Sequence, residues 1–266
     1  MMHFIWDGDP VIFKIGFLEL RWYSIFFVGS FILGYFIIKK IFEREGKDPK
    51  SLDDLLIWAL IGAIVGARIV HCLFYEPNYY LKHPLEILYV WKGGLASHGG
   101  MLGVLVVFYI YAKRHNLSYM WLLSRMTIPG SLVAASVRFG NFFNSEILGK
   151  KSESFGVIFK KVDNTPRHPV QLYEAFSYLL IALILWIVYK RATYEFSTKL
   201  LPGLFALLLF GVRFILEIFK TKQATYSLSI PLSVGQLLSL PLIILGIIWI
   251  IWAFKTTPKE KRWNYS

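Results

Sequence analysis

Residues 231–254 read PLSVGQLLSLPLIILGIIWIIWAF, a long run without a single charged side chain. About 20 mostly apolar residues are enough for an α-helix to cross the hydrocarbon core of a bilayer. The apolar residues here are continuous, whereas a transmembrane β-strand would alternate apolar and polar residues. The stretch therefore predicts a membrane-spanning helix.

The composition of the whole chain agrees with that prediction. Of its 266 residues, 56% are hydrophobic and 17% are charged, whereas soluble domains usually carry about 25% charged residues. The net charge of +12 favours basic loops beside a membrane over nucleic-acid binding, which would need a water-exposed domain to carry the basic residues. Cys72 is the only cysteine, which excludes an intramolecular disulfide and a multi-cysteine metal site.

Apolar segments of similar length recur along the chain. They predict one all-α transmembrane domain over residues 1–266, that is, a polytopic integral membrane protein with seven transmembrane helices. The predicted spans are about 22–42, 55–75, 93–112, 119–144, 170–189, 200–219 and 231–254. Residues 145–169 are polar and are predicted to form a small extracytoplasmic loop or cap.

Basic residues predict the orientation of the spans. The long loop around Lys150–Arg167 is left out of this count. Most of the other Lys and Arg residues outside the spans lie in the loops after the first, third and fifth spans and in the C-terminal tail. Because cytoplasmic loops carry this excess, we expect the N-terminus outside and the C-terminus inside. The tail from Lys255 is predicted to be a solvated cytoplasmic end beside anionic lipid.

Four arginines fall inside predicted spans, where a charge is expensive and usually faces a polar interior. They are Arg68, Arg125, Arg138 and Arg213. Because arginine offers a planar fork of donors, several of them in a membrane indicate an anionic ligand such as lipid phosphate. A structural role for each one is equally open, and Arg125 is expected to snorkel to the cytoplasmic interface. Glu217 lies four residues after Arg213 and could either neutralise it or orient it toward a ligand.

The segment SHGGMLG places His98 beside two glycines in the third predicted span. Gly99 and Gly100 allow close backbone approach, and His98 could act as a base or as a donor to phosphate. Gly99 and Gly103 also have the GxxxG spacing that packs membrane helices together. Both interpretations can hold at once, with the glycines packing helices and His98 in a polar role.

The strongest local signal is RFGNFFNSEILG, which begins at Arg138 and ends at Gly149. On a helix, Arg138 and Asn141 share one face, and an asparagine can donate to a phosphate oxygen. A helix end capped by polar residues would explain Asn144 or Glu146 but not Arg138. Gly149 permits a turn or tight packing.

Two further motifs lie at the outer ends of predicted spans. RHPVQLYE, residues 167–174, opens the fifth span, and its Gln171 and Glu174 could reach a site at the membrane face. LRWYS, residues 20–24, opens the first span. An interfacial aromatic belt accounts for the tryptophan in it but leaves Tyr23 open for another role.

These motifs resemble those of the bacterial prolipoprotein diacylglyceryl transferase family. The resemblance runs from DPVIFKIG near the N-terminus to LSVGQLLSLP before the seventh span. It implies an inner-membrane enzyme that moves the diacylglyceryl group of phosphatidylglycerol onto the thiol of a lipobox cysteine in a preprolipoprotein, releasing glycerol phosphate. It implies no metal and no organic cofactor.

The resemblance also implies roles for particular residues. Arg138 and Arg213 would grip the phosphodiester, Glu217 would orient Arg213, and His98 is the best candidate for the base. The implied catalytic residues are Arg138, Arg213, His98 and Tyr23. The implied substrate-binding residues are Asn141, Glu146, Gly149, Glu217, Gly99 and Gly100.

Two other classes of protein also fit arginines inside a membrane. One is a small transporter or channel for an anionic solute, although the sequence shows no paired inverted halves. The other is a non-catalytic lipid-binding relative, because Val137 replaces a glycine of the family signature and Lys220 stands where the family often has arginine. Glycerol phosphate release that depends on a lipobox peptide would distinguish the transferase from both.

Overall fold

The computed structural model describes residues 3–16, 18–90, 93–153, 155–221 and 232–264. The described chain is mostly helical and divides into two compact units. Unit 1 comprises Met1–Ile38 and Ser124–Ser266, and unit 2 comprises Lys39–Leu123. The described residues form eight α-helices: α1 Trp22–Arg44, α2 Leu52–Val70, α3 Pro77–Tyr80, α4 Ser97–Arg114, α5 Tyr119–Phe143, α6 Val170–Arg191, α7 Tyr194–Leu216 and α8 Val234–Thr256.

In the described part of the chain, five helical segments are long and apolar enough to cross a membrane. They are Trp22–Arg44, Pro49–Tyr75, Val170–Arg191, Tyr194–Phe219 and Val234–Thr256. Each coincides with a predicted span, so the prediction of an all-α membrane protein is confirmed. The residues of the third and fourth predicted spans form α4 and α5, which are helical but are not among the five. Seven spans therefore remain a prediction.

Side-chain caps define the starts of α7 and α8. The hydroxyl of Thr193 accepts from the backbone N–H of Phe196 at 3.3 Å. Ser233 and Gln236 form a reciprocal capping box, with each side chain bonded to the other residue's backbone N–H. Helix α8 thus begins at Val234, slightly later than the predicted span, because the capping serine must stay outside the helix.

Glycines bring α2 and α4 into backbone contact within unit 2. A Cβ atom added to Gly99 would overlap the carbonyl of Gly66, and one added to Gly103 would overlap the carbonyl of Gly62. The predicted GxxxG packing role of Gly99 and Gly103 is therefore confirmed. Cys72 is 0% exposed and lies in the π-helical turn His71–Tyr75 that follows α2.

Short strands complete unit 1. Strand β1, Phe4–Trp6, pairs in parallel with β4, Val157–Phe159, which pairs antiparallel with β5, Pro166–Arg167. Strands β2, Val11–Ile15, and β3, Leu18–Arg21, form a hairpin directly before α1. The sequence analysis missed these strands because they are very short and β1 pairs with a segment far along the chain.

The C-terminal tail folds back onto the turn between α6 and α7. The backbone N–H of Asn264 donates to the carbonyl of Arg191 at 2.8 Å, and that of Thr193 donates to the carbonyl of Arg262 at 3.0 Å. The ring of Trp263 packs edge-on against Phe196. Most side chains from Lys255 to Lys261 are exposed, as a solvated tail requires. The partly buried Trp263 and these backbone hydrogen bonds hold the residues that follow against the turn.

Candidate active site at the end of helix α5

The last turns of α5 carry the sequence signature and end in a tight backbone turn. The N–H of Glu146 donates to the carbonyl of Asn141 at 2.9 Å, which folds the chain back over the helix end. Ser145 and Ile147 adopt φ of 56° and 54°. A left-handed conformation is unusual for a β-branched residue such as Ile147, and strain of this kind is concentrated at functional sites.

That turn joins the polar side chains of the signature. Nη1 of Arg138 donates to Oδ1 of Asn141 at 3.2 Å, as their predicted positions on one helix face required. Nδ2 of Asn141 donates to Oε2 of Glu146 at 3.0 Å, and Nδ2 of Asn144 donates to its Oε1 at 3.2 Å. The Glu146 carboxylate is thus held by two amides, and one of them, that of Asn141, also accepts from Arg138.

Glu174 on α6 is fully buried and lies between two cations. Its Oε2 is 3.1 Å from Nε of Arg138, and its Oε1 accepts from Nζ of Lys220 at 2.8 Å. The hydroxyl of Tyr178 lies 3.4 Å from the same Oε1. Nε of Arg138 and Oε2 of Glu174 are close but not aligned for a hydrogen bond. The contact is therefore an ion pair that leaves Nε of Arg138 without a hydrogen-bond partner among the described residues.

Lys220 links Glu174 to Glu217. Its Nζ lies 3.1 Å from Oε2 of Glu217, and its side chain is only 8% exposed. The Glu217 carboxylate lies over the first turn of α8, where a Cβ atom on Gly235 would be 2.6 Å from it. A carboxylate is favoured at a helix N-terminus, so Gly235 leaves room for a stabilising charge.

The predicted pairing of Glu217 with Arg213 is wrong. Within the described residues, Glu217 pairs with Lys220, and Arg213 forms no ion pair. The reason is that α7 ends at Leu216 and continues as a 3-10 turn, Glu217–Phe219, which brings Lys220 beside Glu217. Nε of Arg213 is buried without a hydrogen-bond partner among the residues that the structure describes.

Tyr178 and Tyr23 show which groups share the site. The hydroxyl of Tyr178 lies 3.4 Å from Oε1 of Glu174, the carboxylate that also pairs with Arg138. Tyr23 is the second residue of α1. Its ring occupies the space that a side chain on residue 140 would need, so Gly140 admits Tyr23 to the site.

Gly149 connects two parts of the site through its backbone. It forms an isolated β-bridge with Lys220, and the next N–H, of Lys150, donates to the carbonyl of Phe219 at 2.7 Å. A Cβ atom on Gly149 would be 2.8 Å from side-chain atoms of His168 and Val170. The small size of the glycine thus allows the end of the signature to pack against the start of α6.

Three predicted site residues lie in unit 2. His98 is exposed in the first turn of α4. Gly99 packs against Gly66, and a Cβ atom on Gly100 would be 3.2 Å from the carbonyl of Ala63. The two glycines therefore face α2, while the histidine side chain lies at the surface.

The remaining two arginines are held by the protein. Arg68 donates to four backbone carbonyls in unit 2, those of Glu86, Ile87, Gly93 and Gly94. Arg125 is 0% exposed and lies over the rings of Tyr189 and Tyr194, at 5.2 and 5.3 Å. The prediction that Arg125 snorkels is wrong, because aromatic faces and Ser124 provide its surroundings inside the protein.

Glu174 and Lys220 are central to the site but were not among the predicted catalytic or binding residues. A signal for Glu174 was available, because a carboxylate in an apolar helix almost always has a partner. Lys220 gave no such signal, since it follows the predicted span. Within the described residues, no group of three His, Cys, Asp or Glu side chains could hold a metal ion.

Comparisons with known proteins cover almost the whole chain. A family model described as prolipoprotein diacylglyceryl transferase matches residues 10–252. The phosphatidylglycerol–prolipoprotein diacylglyceryl transferase of Chloroherpeton thalassium is 45% identical over 261 residues, covering 97% of each chain. The enzyme of the same name from Tolumonas auensis is 44% identical over 252 residues, covering 94% of this chain and 97% of its own. The chain therefore belongs to the prolipoprotein diacylglyceryl transferase family.

Proposed function

We propose that this chain transfers the diacylglyceryl group of phosphatidylglycerol to the thiol of a lipobox cysteine in a preprolipoprotein, the first step of bacterial lipoprotein maturation. Family membership over residues 10–252 supports the reaction. The observation that carries it is the position of Arg138, which lies against the buried carboxylate of Glu174 and donates to Asn141 at the end of α5.

The chemistry defines what the site must supply. The cysteine sulfur bonds to the glycerol carbon, the bond from that carbon to the phosphate oxygen breaks, and the thiol proton goes to a base. Glycerol phosphate then leaves with one more negative charge than the phosphodiester had. Because charge develops on the phosphate, fixed cations beside it lower the barrier. Because the thiolate is the reactive form of cysteine, a base raises the rate.

Arg138 and Arg213 are the cations in this proposal. Arg138 is positioned by Glu174 and Asn141, yet its side chain keeps 14% exposure. Arg213 has a buried Nε without a hydrogen-bond partner in the described part of the chain. An unpaired donor at low dielectric is costly, so a phosphate that pairs with it gains the full interaction.

The other site residues support the cations. Asn141 and Glu146 hold the head group, and the hydroxyl of Tyr23 adds a donor beside Arg138. Gly149 and Glu217 contribute through Lys220, whose backbone and ammonium they contact.

His98 is the proposed base. It is the histidine of the SHGG motif, and its exposed side chain is accessible to a substrate thiol. Gly99 and Gly100 present it by allowing α4 to pack closely on α2.

The membrane topology is part of the proposal. We propose seven spans in the bacterial inner membrane, with α4 and α5 as the third and fourth, the N-terminus outside and the C-terminus in the cytoplasm. Helices α4 and α5 contain 18 and 25 residues, which approaches or exceeds the length of a span. Residues 145–169 then form the extracytoplasmic cap, on the side where the lipobox cysteine is modified, and no nucleic acid takes part.

The test is release of glycerol phosphate from phosphatidylglycerol vesicles that contain the purified protein. Wild-type protein should release it only when a lipobox peptide is added. The Arg138→Ala variant should lose at least about 100-fold in rate, as expected for a lost electrostatic contact to a developing anion. The Arg191→Ala variant, altered at an exposed arginine, is the matched control. Absence of peptide-dependent release by folded wild-type protein would contradict the proposal.

A further inference from the structure

The chain between α2 and α4 has an apolar outer surface although it is not a spanning helix. We call residues 76–90 the connecting segment. Its Leu81, Leu85 and Leu88 are 73%, 72% and 68% exposed, and Tyr79 is 45% exposed. Soluble proteins rarely present so many large apolar side chains on one short segment.

The inner surface of the connecting segment is built on a buried arginine. Arg68 is 3% exposed, and its guanidinium lies 5.0 Å from the ring centroid of the buried Tyr80. Its Nη2 donates to the carbonyl of Glu86 at 2.6 Å, and its Nε donates to that of Ile87 at 2.9 Å. Nη1 donates to the carbonyl of Gly93 at 2.6 Å.

Arg68 donates hydrogen bonds to backbone carbonyls that, in an ordinary surface loop, would accept them from water. Carbonyls outside regular helices need donors, and a loop in water obtains them from solvent at no structural cost. In the hydrocarbon region, water is absent and each unpaired carbonyl costs several kcal/mol. A segment in which a buried arginine pairs irregular carbonyls, here those of Glu86 and Ile87, while the outer side chains are apolar, is adapted to lipid.

The apolar surface is also continuous with a candidate membrane span. The segment Pro49–Tyr75 is long and apolar enough to cross a membrane, and its final turn exposes Leu73, Phe74 and Tyr75. The connecting segment begins at the next residue. Its exposed Lys82 and His83 carry the basic groups that suit the level of lipid phosphates.

We infer that the connecting segment lies in the bilayer at the boundary between acyl chains and head groups. Leu81, Leu85 and Leu88 contact lipid, and Lys82 extends to the phosphates. Because the N–H of Ala96 donates to the carbonyl of Ala67 at 3.0 Å, the start of α4 is fixed to the same turn of α2 as Arg68. The connecting segment thus sets the depth at which His98 lies.

Site-directed spin labelling tests this inference on the full-length protein in phosphatidylglycerol-containing bilayers. A nitroxide is attached to Leu81→Cys, Leu85→Cys or Leu88→Cys, one at a time. Cys72 is 0% exposed and need not be replaced. Wild-type protein treated with the nitroxide reagent checks that Cys72 does not react. Ile61→Cys on the exposed face of α2 is the lipid control, and Lys160→Cys at the end of β4 is the water control.

Collision with dissolved oxygen reports lipid, and collision with a water-soluble nickel chelate reports solvent. We expect a several-fold excess of oxygen over chelate accessibility at positions 81, 85 and 88, as at position 61, and the reverse at position 160. Chelate accessibility equal to that of position 160 would overturn the inference. Low accessibility to both reagents would also overturn it, because protein would then cover the surface. The measurement does not depend on transferase activity, so its failure is distinct from failure of the proposed reaction.

Discussion

Arg68 in unit 2 and Arg138 in unit 1 are both arginines on apolar helices, but their surroundings differ. Arg68 is 3% exposed and donates to several backbone carbonyls. Arg138 shares the buried carboxylate of Glu174 with Lys220 and makes one hydrogen bond to Asn141. One guanidinium is fixed by the backbone around it, and the other has a buried Nε that lacks a hydrogen-bond partner in the part of the chain that the structure describes.

The difference teaches how a charge inside a membrane protein should be interpreted. A buried charge by itself indicates a cost that something must offset. Backbone carbonyls can offset it completely, and the arginine is then structural. A side-chain partner that also pairs with a second cation offsets the cost only in part. The arginine can then still bind an anionic ligand. A structural arginine and a ligand-binding arginine therefore differ in whether their N–H donors are all hydrogen-bonded within the protein. Position in a span distinguishes them less well.

Exchanging arginine for lysine at both positions tests that separation most directly. Lysine keeps the charge but loses the planar fork. We expect Arg138→Lys to reduce peptide-dependent release of glycerol phosphate by about 100-fold while leaving thermal unfolding in detergent nearly unchanged. Arg68→Lys should keep near wild-type activity per folded molecule. Equal losses of activity in the two variants would contradict the assignment of a ligand-binding role to Arg138 and a structural role to Arg68.

Removing the donors of Arg68 should affect stability. In Arg68→Met, several buried carbonyls lose their partners, and each unsatisfied group costs about 1–3 kcal/mol. We expect the free energy of unfolding in micelles to fall by about 3 kcal/mol. Arg191→Met, at an exposed arginine, should change it by less than about 0.5 kcal/mol. A stable Arg68→Met protein would show that the carbonyls obtain water instead.

Lys220 tests how far the positioning of Arg138 depends on shared partners. In Lys220→Met, Arg138 is the one cation left beside Glu174 among the described residues, so its guanidinium is drawn toward that carboxylate. We expect about a 10-fold loss in kcat, roughly the effect of 1.4 kcal/mol, with a smaller change in KM. Lys220→Arg should restore most of the rate, since an arginine can also bridge Glu174 and Glu217. Identical behaviour of the Met and Arg variants would contradict a positioning role.

The glycine contact in unit 2 should respond to a single methyl group. In Gly103→Ala, the new Cβ overlaps the carbonyl of Gly62, so α2 and α4 must separate. Overpacking of this kind costs about 1–3 kcal/mol, and thermal unfolding would show it. Gly29→Ala, where nothing lies within 4 Å of the added atom, is the control and should not be destabilised.

The smallest effect is expected in the loop between α5 and α6. The hydrogen-bonded Arg167 guanidinium lowers the pKa of Asp163. A lowered folded-state pKa stabilises the fold above the ordinary value for aspartate, and that contribution is lost as the pH falls through the folded-state pKa. Asp163→Asn should cost less than about 1 kcal/mol at neutral pH and almost nothing near pH 2. A loss of stability that persists at the acidic end would indicate another cause.

Several features were predictable from the sequence because they follow from local patterns. Uninterrupted apolar runs predicted the spanning helices, and GxxxG spacing predicted the packing of α4 on α2. Helix geometry also placed Arg138 beside Asn141. Each of these conclusions needs only the residues of one helix, or the small size of glycine.

The missed features depend on residues that are far apart in the chain. Glu174 became recognisable as a partner of Arg138 only once α5 and α6 were seen together, and Lys220 only once the 3-10 turn after α7 was known. The i,i+4 rule predicted a pair between Arg213 and Glu217, but Glu217 pairs with Lys220, which the 3-10 turn places beside it. Pairing of β1 with β4 likewise depends on a contact that no local pattern encodes.

The buried position of Cys72 has a consequence for an enzyme that attaches lipid to thiols. A catalyst that works on cysteines in a lipid-filled environment could modify itself, and an exposed thiol of its own would compete with every incoming peptide. Here the only thiol of the chain is 0% exposed beneath the turn after α2. The enzyme is therefore protected from self-modification, and consumption of the peptide thiol can be followed with an ordinary thiol reagent without background from the folded protein.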